Sequence, residues 1–512
     1  MEYKPITCVW EVTMACNMRC KHCGSSCSVP DKDELTTEEA VKLCKEIGDL
    51  GLRWVTISGG EPTTRKDWDI IAKALTDNNV TPTMITNGWL LDNSLIERAE
   101  KAGINTLAIS IDGTEETHDF IRRKGAFKKA LAGLDLIRNS KIHSAVITTI
   151  NSKNITELED LKNILIEHGV EKWQIQIGLP MGNLSHNKGL VASPDMVNKV
   201  IDFAYDVIEK GEKIEIDLAD CIGYFNSKEA AVRATVTHNA AYNWTGCGAG
   251  KYNFGILNNG DILGCTSIRD REFIEGNIKE KSLREIWEDK NAFKWNRDMS
   301  KDKLKGKCEK CMYGDICKGG CSNTRLTMNG SIYSENKYCS YNLALVKAEN
   351  SLNRIDDASE LIERADFFIN HKNYQLAEIS LSLALKKDKD NIDILNKLGF
   401  VNYQLGNYKL AKEANEAVLN LDSKNCYASK GLGLSLIKLK EIDTGLDYLH
   451  KSIDLIDGSY LDPYYDLAIT LLELDKKDEA IKIIETATNK YPNFKDLRDK
   501  FYAAINAECE PI

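Results

Sequence analysis

Eight residues near the start of the chain, Cys16-Asn17-Met18-Arg19-Cys20-Lys21-His22-Cys23, carry three thiols spaced C-x3-C-x2-C. Cysteines this close bind soft metal centres, zinc or iron–sulfur. Three ligands suit a cube of four irons, because one iron is left open to a small molecule. A structural zinc asks for four tetrahedral ligands, and Cys27 in the following Gly-Ser-Ser-Cys run is available as the fourth. The octet alone favours iron–sulfur and leaves zinc open. A second set lies downstream. Cys247, Gly260 and Cys265 read C-x12-G-x4-C, then Cys308, Cys311, Cys317 and Cys321 read C-x2-C-x5-C-x3-C, and Cys339 follows. Taken alone, Cys308 to Cys321 also fits a zinc ribbon.

The 16 cysteines of this 512-residue chain are too dilute for a disulfide scaffold. Five lie between Cys8 and Cys27, eight between Cys221 and Cys339, and only Cys426 and Cys509 lie beyond. Such clustering points to metal centres in a reducing compartment. Cys44 falls in an amphipathic helix pattern as a buried thiol. The length predicts roughly two to four domains. There is no apolar run long enough for a transmembrane helix and no basic-then-apolar leader, so the expectation is a cytoplasmic protein without a membrane role. A net charge of −10 argues against general nucleic-acid binding.

Elements must position these thiols. The first cysteine loop follows an apolar run, residues 6–12. Thr36-Thr37-Glu38-Glu39 opens a helical pattern that runs to Leu50. Strand-like runs at 54–58, 83–86, 106–111, 145–150 and 173–177 alternate with helical patterns. Each is short and apolar or β-branched, as in parallel strands covered on both faces. Six βα units predict an α/β partial (β/α)6 barrel of the TIM type. In such barrels the chemistry sits at the C-terminal ends of the strands. The cysteine loop, Gly59-Gly60-Glu61, Asn87-Gly88 and Asp112-Gly113 would therefore surround one mouth. The paired glycines would let a ligand approach the backbone closely.

C-x3-C-x2-C, followed about 36 residues later by Gly-Gly-Glu-Pro, resembles the radical S-adenosylmethionine (SAM) superfamily. The resemblance implies a SAM-binding 4Fe–4S cluster on Cys16, Cys20 and Cys23, reductive cleavage of SAM, and a 5′-deoxyadenosyl radical. It implies SAM contacts from Gly59, Gly60 and Glu61, and from Ser110 and Arg122, with Arg123 a rival for Arg122. His22 stands where the family often has an aromatic residue near the adenine. SAM as the fourth cluster ligand leaves Cys27 outside the site. The downstream cysteines resemble the SPASM domain, which in this family holds two auxiliary 4Fe–4S clusters. The pattern implies Cys247, Cys265 and Cys321 on the first, and Cys308, Cys311, Cys317 and Cys339 on the second. The first set lacks the extra cysteine often found soon after its initial ligand, so its fourth iron is either open or held by Cys221. Tyr252–Leu257 and Asp261–Leu263, flanking Asn258-Asn259-Gly260, predict a hairpin that brings Cys247 and Cys265 together.

From about residue 346 cysteines become sparse and helical pattern takes over. Tyr374 and Tyr408, Ala377 and Ala411, and Gly399 and Gly433 each stand 34 apart. This period resembles tetratricopeptide repeats, about four of them near 358–391, 392–425, 426–460 and 461–494, then a capping helix. The division expected is 1–211 radical SAM barrel, 212–345 SPASM domain and 346–512 all-α repeat solenoid. Many peptide-modifying relatives carry a winged-helix recognition domain before the barrel. This chain starts almost at its first strand, so the expectation is that the repeats recruit the substrate instead, unless they serve as a structural cap or dimerisation arm.

The resemblance implies a maturase that oxidatively modifies or crosslinks a ribosomally made peptide through a thioether or carbon–carbon bond. It would use three 4Fe–4S clusters and an electron donor such as flavodoxin or ferredoxin. The alternative is maturation of a protein side chain. Sulfatase maturases have an aspartate after the cysteine that matches Cys265, however, and here Thr266 stands there, which disfavours formylglycine formation. A non-catalytic repeat scaffold is the third reading, against which the intact SAM motifs argue. No residue stands out as a general base.

Overall fold

The computed structural model describes residues 3–239 and 244–507, which leaves Cys509 outside the described residues. The chain divides into two compact units, one of residues 1–309 and 313–344, the other of 310–312 and 345–512.

The first unit is built on one ten-stranded sheet. Six of its strands are those anticipated: β1 (Thr7–Glu11), β2 (Trp54–Ser58), β3 (Thr81–Thr86), β4 (Thr106–Ser110), β5 (His143–Ile150) and β6 (Lys172–Ile177). A seventh parallel strand, β7 (Glu215–Leu218), pairs with β6 and was not anticipated. Four residues with two acids, Glu-Ile-Asp-Leu, give too short an apolar signal to read as a covered strand. The hairpin is present as β8 (Asn253–Ile256) and β9 (Asp261–Leu263), joined antiparallel, with β10 (Ile274–Asn277) beyond. Strand β8 pairs in parallel with β1, Thr7 opposite Asn253 and Trp10 opposite Ile256. The order is therefore β10-β9-β8-β1-β2-β3-β4-β5-β6-β7. The cysteine-rich segment is thus hydrogen-bonded to the edge of the strand that feeds the first cysteine loop.

Local signals explain these elements. Thr36 caps the helix Thr37–Leu50 in a capping box with Glu39, and Gly51 ends it in the left-handed region. Strand residues turned away from the cavity, among them Trp10, Ile57, Met84, Ile109, Val146 and Trp173, are fully buried, while their alternating neighbours Val9, Ile85, Ser110 and Ile147 line it. Helices cover the outer face of the sheet, which is why these strands read as near-continuous apolar runs.

The second unit is a run of paired helices: Ala358–Asn370 with Tyr374–Lys387, Ile392–Gln404 with Tyr408–Leu421, Cys426–Lys438 with Ile442–Asp454, and Asp462–Glu473 with Lys477–Lys490. The helix Lys495–Ala507 follows. The small residues that mark the period sit where paired helices touch. Ala377, Ala411, Ala468 and Ala480 are fully buried, and a Cβ on Gly433 would stand 2.8 Å from the Gly445 carbonyl of the partner helix. No helix among the described residues is long and apolar enough to cross a membrane.

Candidate active site

The C-terminal ends of the strands open onto a cavity of about 490 Å³. Cys16, Cys20, Cys23, Gly59, Gly60, Glu61, Ser110 and Arg122 line it, and so do Cys265, Cys321 and Cys221. Both cysteine sets of the sequence thus contribute to one chamber. Among the described residues, no three His, Cys, Asp or Glu side chains are gathered tightly enough to hold a single metal ion. Cys16, Cys20 and Cys23 pack in one cluster with Met18 and Trp89 at the cavity wall.

The glycines also lie directly against the chain's own backbone. The Gly60 N–H donates to the Thr13 carbonyl at 2.7 Å and the Glu61 N–H to the Ala15 carbonyl at 2.8 Å. A Cβ on Gly59, whose φ is +136°, would lie 2.4 Å from the Thr13 oxygen, and one on Gly60 2.2 Å from that of Ala15. The pair is needed so that the backbone entering the cysteine loop can lie directly on the Gly-Gly-Glu turn. Glu61 is buried, and its carboxylate accepts from Thr63 N–H (3.2 Å) and Oγ1 (2.6 Å), Thr86 Oγ1 (2.8 Å) and Asn87 N–H (2.7 Å). Burial raises its pKa and those hydrogen bonds oppose the rise. Glu61 is thus a knot that ties the ends of β2 and β3 together.

Asp112, just past β4, is a second knot, and the sequence reading gave it no role. Its Oδ2 accepts from Arg122 Nε at 2.5 Å and lies 2.8 Å from His22 Nε2. Its Oδ1 accepts the Thr149 N–H at 2.8 Å. Burial opposes its ionisation, yet Arg122 and then His22 overcome this and hold the carboxyl well below the usual range. The signals available were an Asp-Gly after a strand and a histidine inside the cysteine motif. What sequence could not supply was their meeting across 90 residues. Arg123 does not line the cavity: its guanidinium stacks 4.2 Å from the Trp89 ring and donates to the Asn17 carbonyl. The Cys27 thiol hydrogen-bonds to Cys23, which lowers the Cys23 pKa against burial.

A third group, also unforeseen, is Glu11 with Arg269. Glu11 ends β1, and Arg269 follows Cys265 by four residues. The two form an ion pair, and Arg269 Nη2 donates to Ser25 Oγ at 2.6 Å. Both line the cavity. Glu11 Oε2, Arg269 Nε and His22 Nδ1 are buried there without a hydrogen-bond partner, as expected of groups that face a polar ligand.

Cys247 does not line the cavity, but it neighbours Cys265 and Cys321 closely enough to raise both thiol pKa values after burial has done so. Cys308 and Cys339 are buried nearby in sequence terms of the second set. The Asn336 N–H points at Cys308 Sγ (3.4 Å) and the Asn342 N–H at Cys339 Sγ (3.5 Å). Cys317 packs beside Cys339, Tyr224 and Trp244, and Cys311 is buried. Arg325 tests whether these thiols suit anionic metal centres. It is fully buried and has no carboxylate partner among the described residues. Burial lowers its pKa, while the thiolates of Cys308, Cys247 and Cys321 oppose that. A buried guanidinium needs compensating negative charge. Thiolate-bound clusters supply it, so the residues present fit the auxiliary groups.

Comparison with known proteins agrees with this geometry. Residues 10–165 match the radical SAM superfamily, 247–312 an iron–sulfur cluster-binding domain named SPASM, and 392–425 a tetratricopeptide repeat. The chain is 31% identical over 350 residues to the AdoMet-dependent heme synthase of Methanosarcina barkeri, spanning 67% of this chain and 98% of that protein. It is 26% identical over 321 residues to the mycofactocin maturase MftC of Mycolicibacterium smegmatis, spanning 62% and 78%. In fold it is similar to Streptococcus suis SuiB bound to its precursor peptide SuiA (TM-score 0.54, 18% identity, 66% of this chain and 75% of that one). It is likewise similar to anSMEcpe with bound AdoMet (TM-score 0.53, 17% identity, 65% and 94%).

Proposed function

The chain belongs to the radical SAM superfamily, in its SPASM-bearing branch, and from that premise we propose that it oxidatively modifies a ribosomally made peptide, forming a thioether or carbon–carbon crosslink. One observation carries the reading: the cysteine loop, the Gly-Gly-Glu turn and two of the first auxiliary cysteines, Cys265 and Cys321, share one chamber. When bound, SAM and its reduced cluster supply a radical able to take hydrogen from an unactivated carbon. The rest is the work of this chain. Gly59, Gly60 and Glu61 shape the SAM seat beside Ser110, and Arg122, held by Asp112, presents fixed positive charge for the SAM carboxylate. Cys16, Cys20 and Cys23 hold the SAM-binding 4Fe–4S cluster, and Cys247, Cys265 and Cys321 the first auxiliary one. Cys308, Cys311, Cys317 and Cys339 hold the second, for three clusters in all. The auxiliary set on the chamber wall places an electron acceptor next to the substrate, which suits an oxidative outcome.

A peptide substrate is favoured by the repeats. The 350 residues shared with the heme synthase cover nearly all of that protein and leave a third of this chain over. The repeat unit carries its own cavity of about 320 Å³, lined by Tyr403, Asn415, Tyr427, Lys430 and Lys438, and Asn415 Oδ1 is buried there without a partner. A peptide backbone N–H would satisfy it. A second reading, decarboxylation of an iron tetrapyrrole, is favoured by the heme-synthase relatives and by Arg269, whose free Nε suits a substrate carboxylate. The discriminating experiment incubates the reconstituted chain with SAM and reductant. One arm adds a short peptide encoded beside its gene, the other Fe-coproporphyrin. Loss of hydrogen atoms from the peptide supports the first reading, and loss of carbon dioxide from the porphyrin replaces it with the second.

A further inference from the structure

We propose that Cys221 is the fourth ligand of the first auxiliary cluster, completing a set with Cys247, Cys265 and Cys321. This rests on the reading that Cys247, Cys265 and Cys321 hold such a cluster. Cys221 comes from neither the cysteine loop nor the SPASM motif, but from the turn after β7, the strand the sequence did not announce. It lines the chamber with Cys265 and Cys321, and the residue before it is tied to Cys321 through one buried hydroxyl, that of Tyr224. Three of the four thiols thus share the chamber wall, and Cys247 neighbours Cys265 and Cys321 behind it.

The turn that carries Cys221 is held with unusual thoroughness. Arg233 donates to the carbonyls of Leu218 (2.8 Å), Ala219 (3.2 Å) and Ile222 (2.7 Å), and the buried Glu229 balances its charge. The Tyr224 hydroxyl, fully buried, donates to the Asp220 carbonyl at 2.5 Å and accepts the Cys321 N–H at 2.8 Å. One hydroxyl therefore clips the residue before Cys221 to the residue that supplies Cys321. The Ile177 N–H points at Cys221 Sγ at 3.4 Å, the kind of donor that supports a metal-bound thiolate. A merely space-filling thiol needs none of this. Cys44, buried between a helix and its neighbour, gives its S–H to the Ile71 carbonyl and stands beside Cys8, which belongs to neither ligand set. With four protein ligands, the first auxiliary cluster offers no open iron. Substrate then meets it as an electron acceptor and is not coordinated by it.

The test uses the full chain, reconstituted anaerobically with iron and sulfide, as wild type and as Cys221→Ala, Cys247→Ala and Cys44→Ala. Iron content is measured, and the reduced protein is examined by electron paramagnetic resonance with SAM in excess, before and after addition of cyanide as a small exogenous ligand. The proposal expects the wild-type auxiliary signals to ignore cyanide, Cys44→Ala to match wild type, and Cys221→Ala either to lose roughly one cluster's four irons or to gain a cyanide-sensitive signal. If Cys247→Ala changes the signals while Cys221→Ala keeps full iron and an unchanged, cyanide-insensitive spectrum, the Cys221 assignment falls and the cluster stands. A cyanide-sensitive auxiliary signal in wild type overturns it as well. If neither variant alters iron or spectrum, the cluster itself is wrongly placed. Circular dichroism of each variant guards against loss of fold, and Cys221→Ser repeats the comparison with a smaller change in polarity.

Discussion

His22 and Arg122 meet on a single atom, Asp112 Oδ2, at 2.8 and 2.5 Å. One belongs to the cysteine loop and the other ends the helix Glu115–Ile121. The carboxylate between them is wholly buried. The position of the cysteine loop is thereby tied to the charge proposed to face SAM. Removing one member of a buried charged set costs about 3–5 kcal/mol, because the others are left uncompensated. Asp112→Asn is therefore expected to lower stability by about 3 kcal/mol and to weaken SAM binding, read by denaturant unfolding and by calorimetric titration. Unchanged values for both would contradict the role given to Asp112.

The Gly-Gly turn makes a sharper steric prediction. A Cβ on Gly60 meets a backbone oxygen, which cannot step aside as a flexible side chain does. Gly60→Ala should destabilise by well over 1 kcal/mol and deplete the iron held by the cysteine loop. Gly189→Ala, which meets nothing within 4 Å, should stay within about 0.5 kcal/mol of wild type. Equal behaviour of the two in thermal unfolding and iron analysis would refute the packing argument.

His118 gives a pH dependence. It is fully buried, its Nδ1 accepts the Asp112 N–H at 3.1 Å, and its Nε2 has no partner. Burial, then the charge of Arg122, lowers its pKa from the usual 6.5 to about 4. The depressed histidine must be neutral in the fold, so its contribution is intact above pH 6.5 and drains away as pH falls toward 4. The total is roughly 3 kcal/mol, at 1.36 kcal/mol per pKa unit. Urea midpoints measured from pH 7 to 4.5 should fall more steeply for wild type than for His118→Asn, whose amide oxygen can accept the same N–H without titrating. Parallel curves would show that His118 carries none of the acid sensitivity.

Arg325 should set the redox poise of the auxiliary centres. It is a buried cation with thiolates of both auxiliary sets around it. Arg325→Met removes positive charge that favours the reduced state. Potentiometric titration should show the auxiliary potentials moving negative, with SAM cleavage retained. A shift in the opposite direction, or none, would remove Arg325 from this role.

Much of the architecture was legible because it is written in local pattern. The β-branched runs, the Asn-Asn-Gly turn and the 34-residue spacing each act over a few residues, and the corresponding strands, hairpin and helix pairs are present. The cysteine spacings were equally local. What sequence could not show were meetings between distant positions. Asp112 with His22 and Glu11 with Arg269 are separated by 90 and 258 residues. Both are brought together by the sheet order, the second by β8 adding to β1. The tight backbone contact of Gly59 and Gly60 was hidden for the same reason: the neighbour that excludes a side chain is the Thr13–Ala15 backbone, 45 residues or so upstream.

The central claim is that the loop from Cys16 to Cys23 generates a radical from SAM. Anaerobic incubation of the reconstituted chain with SAM and reductant, with 5′-deoxyadenosine measured by chromatography and mass spectrometry, tests it most directly. The account predicts 5′-deoxyadenosine from wild type and none above background from the Cys16→Ala/Cys20→Ala/Cys23→Ala variant. Absence of the product from wild type holding its full iron, or equal amounts from the two proteins, would contradict it.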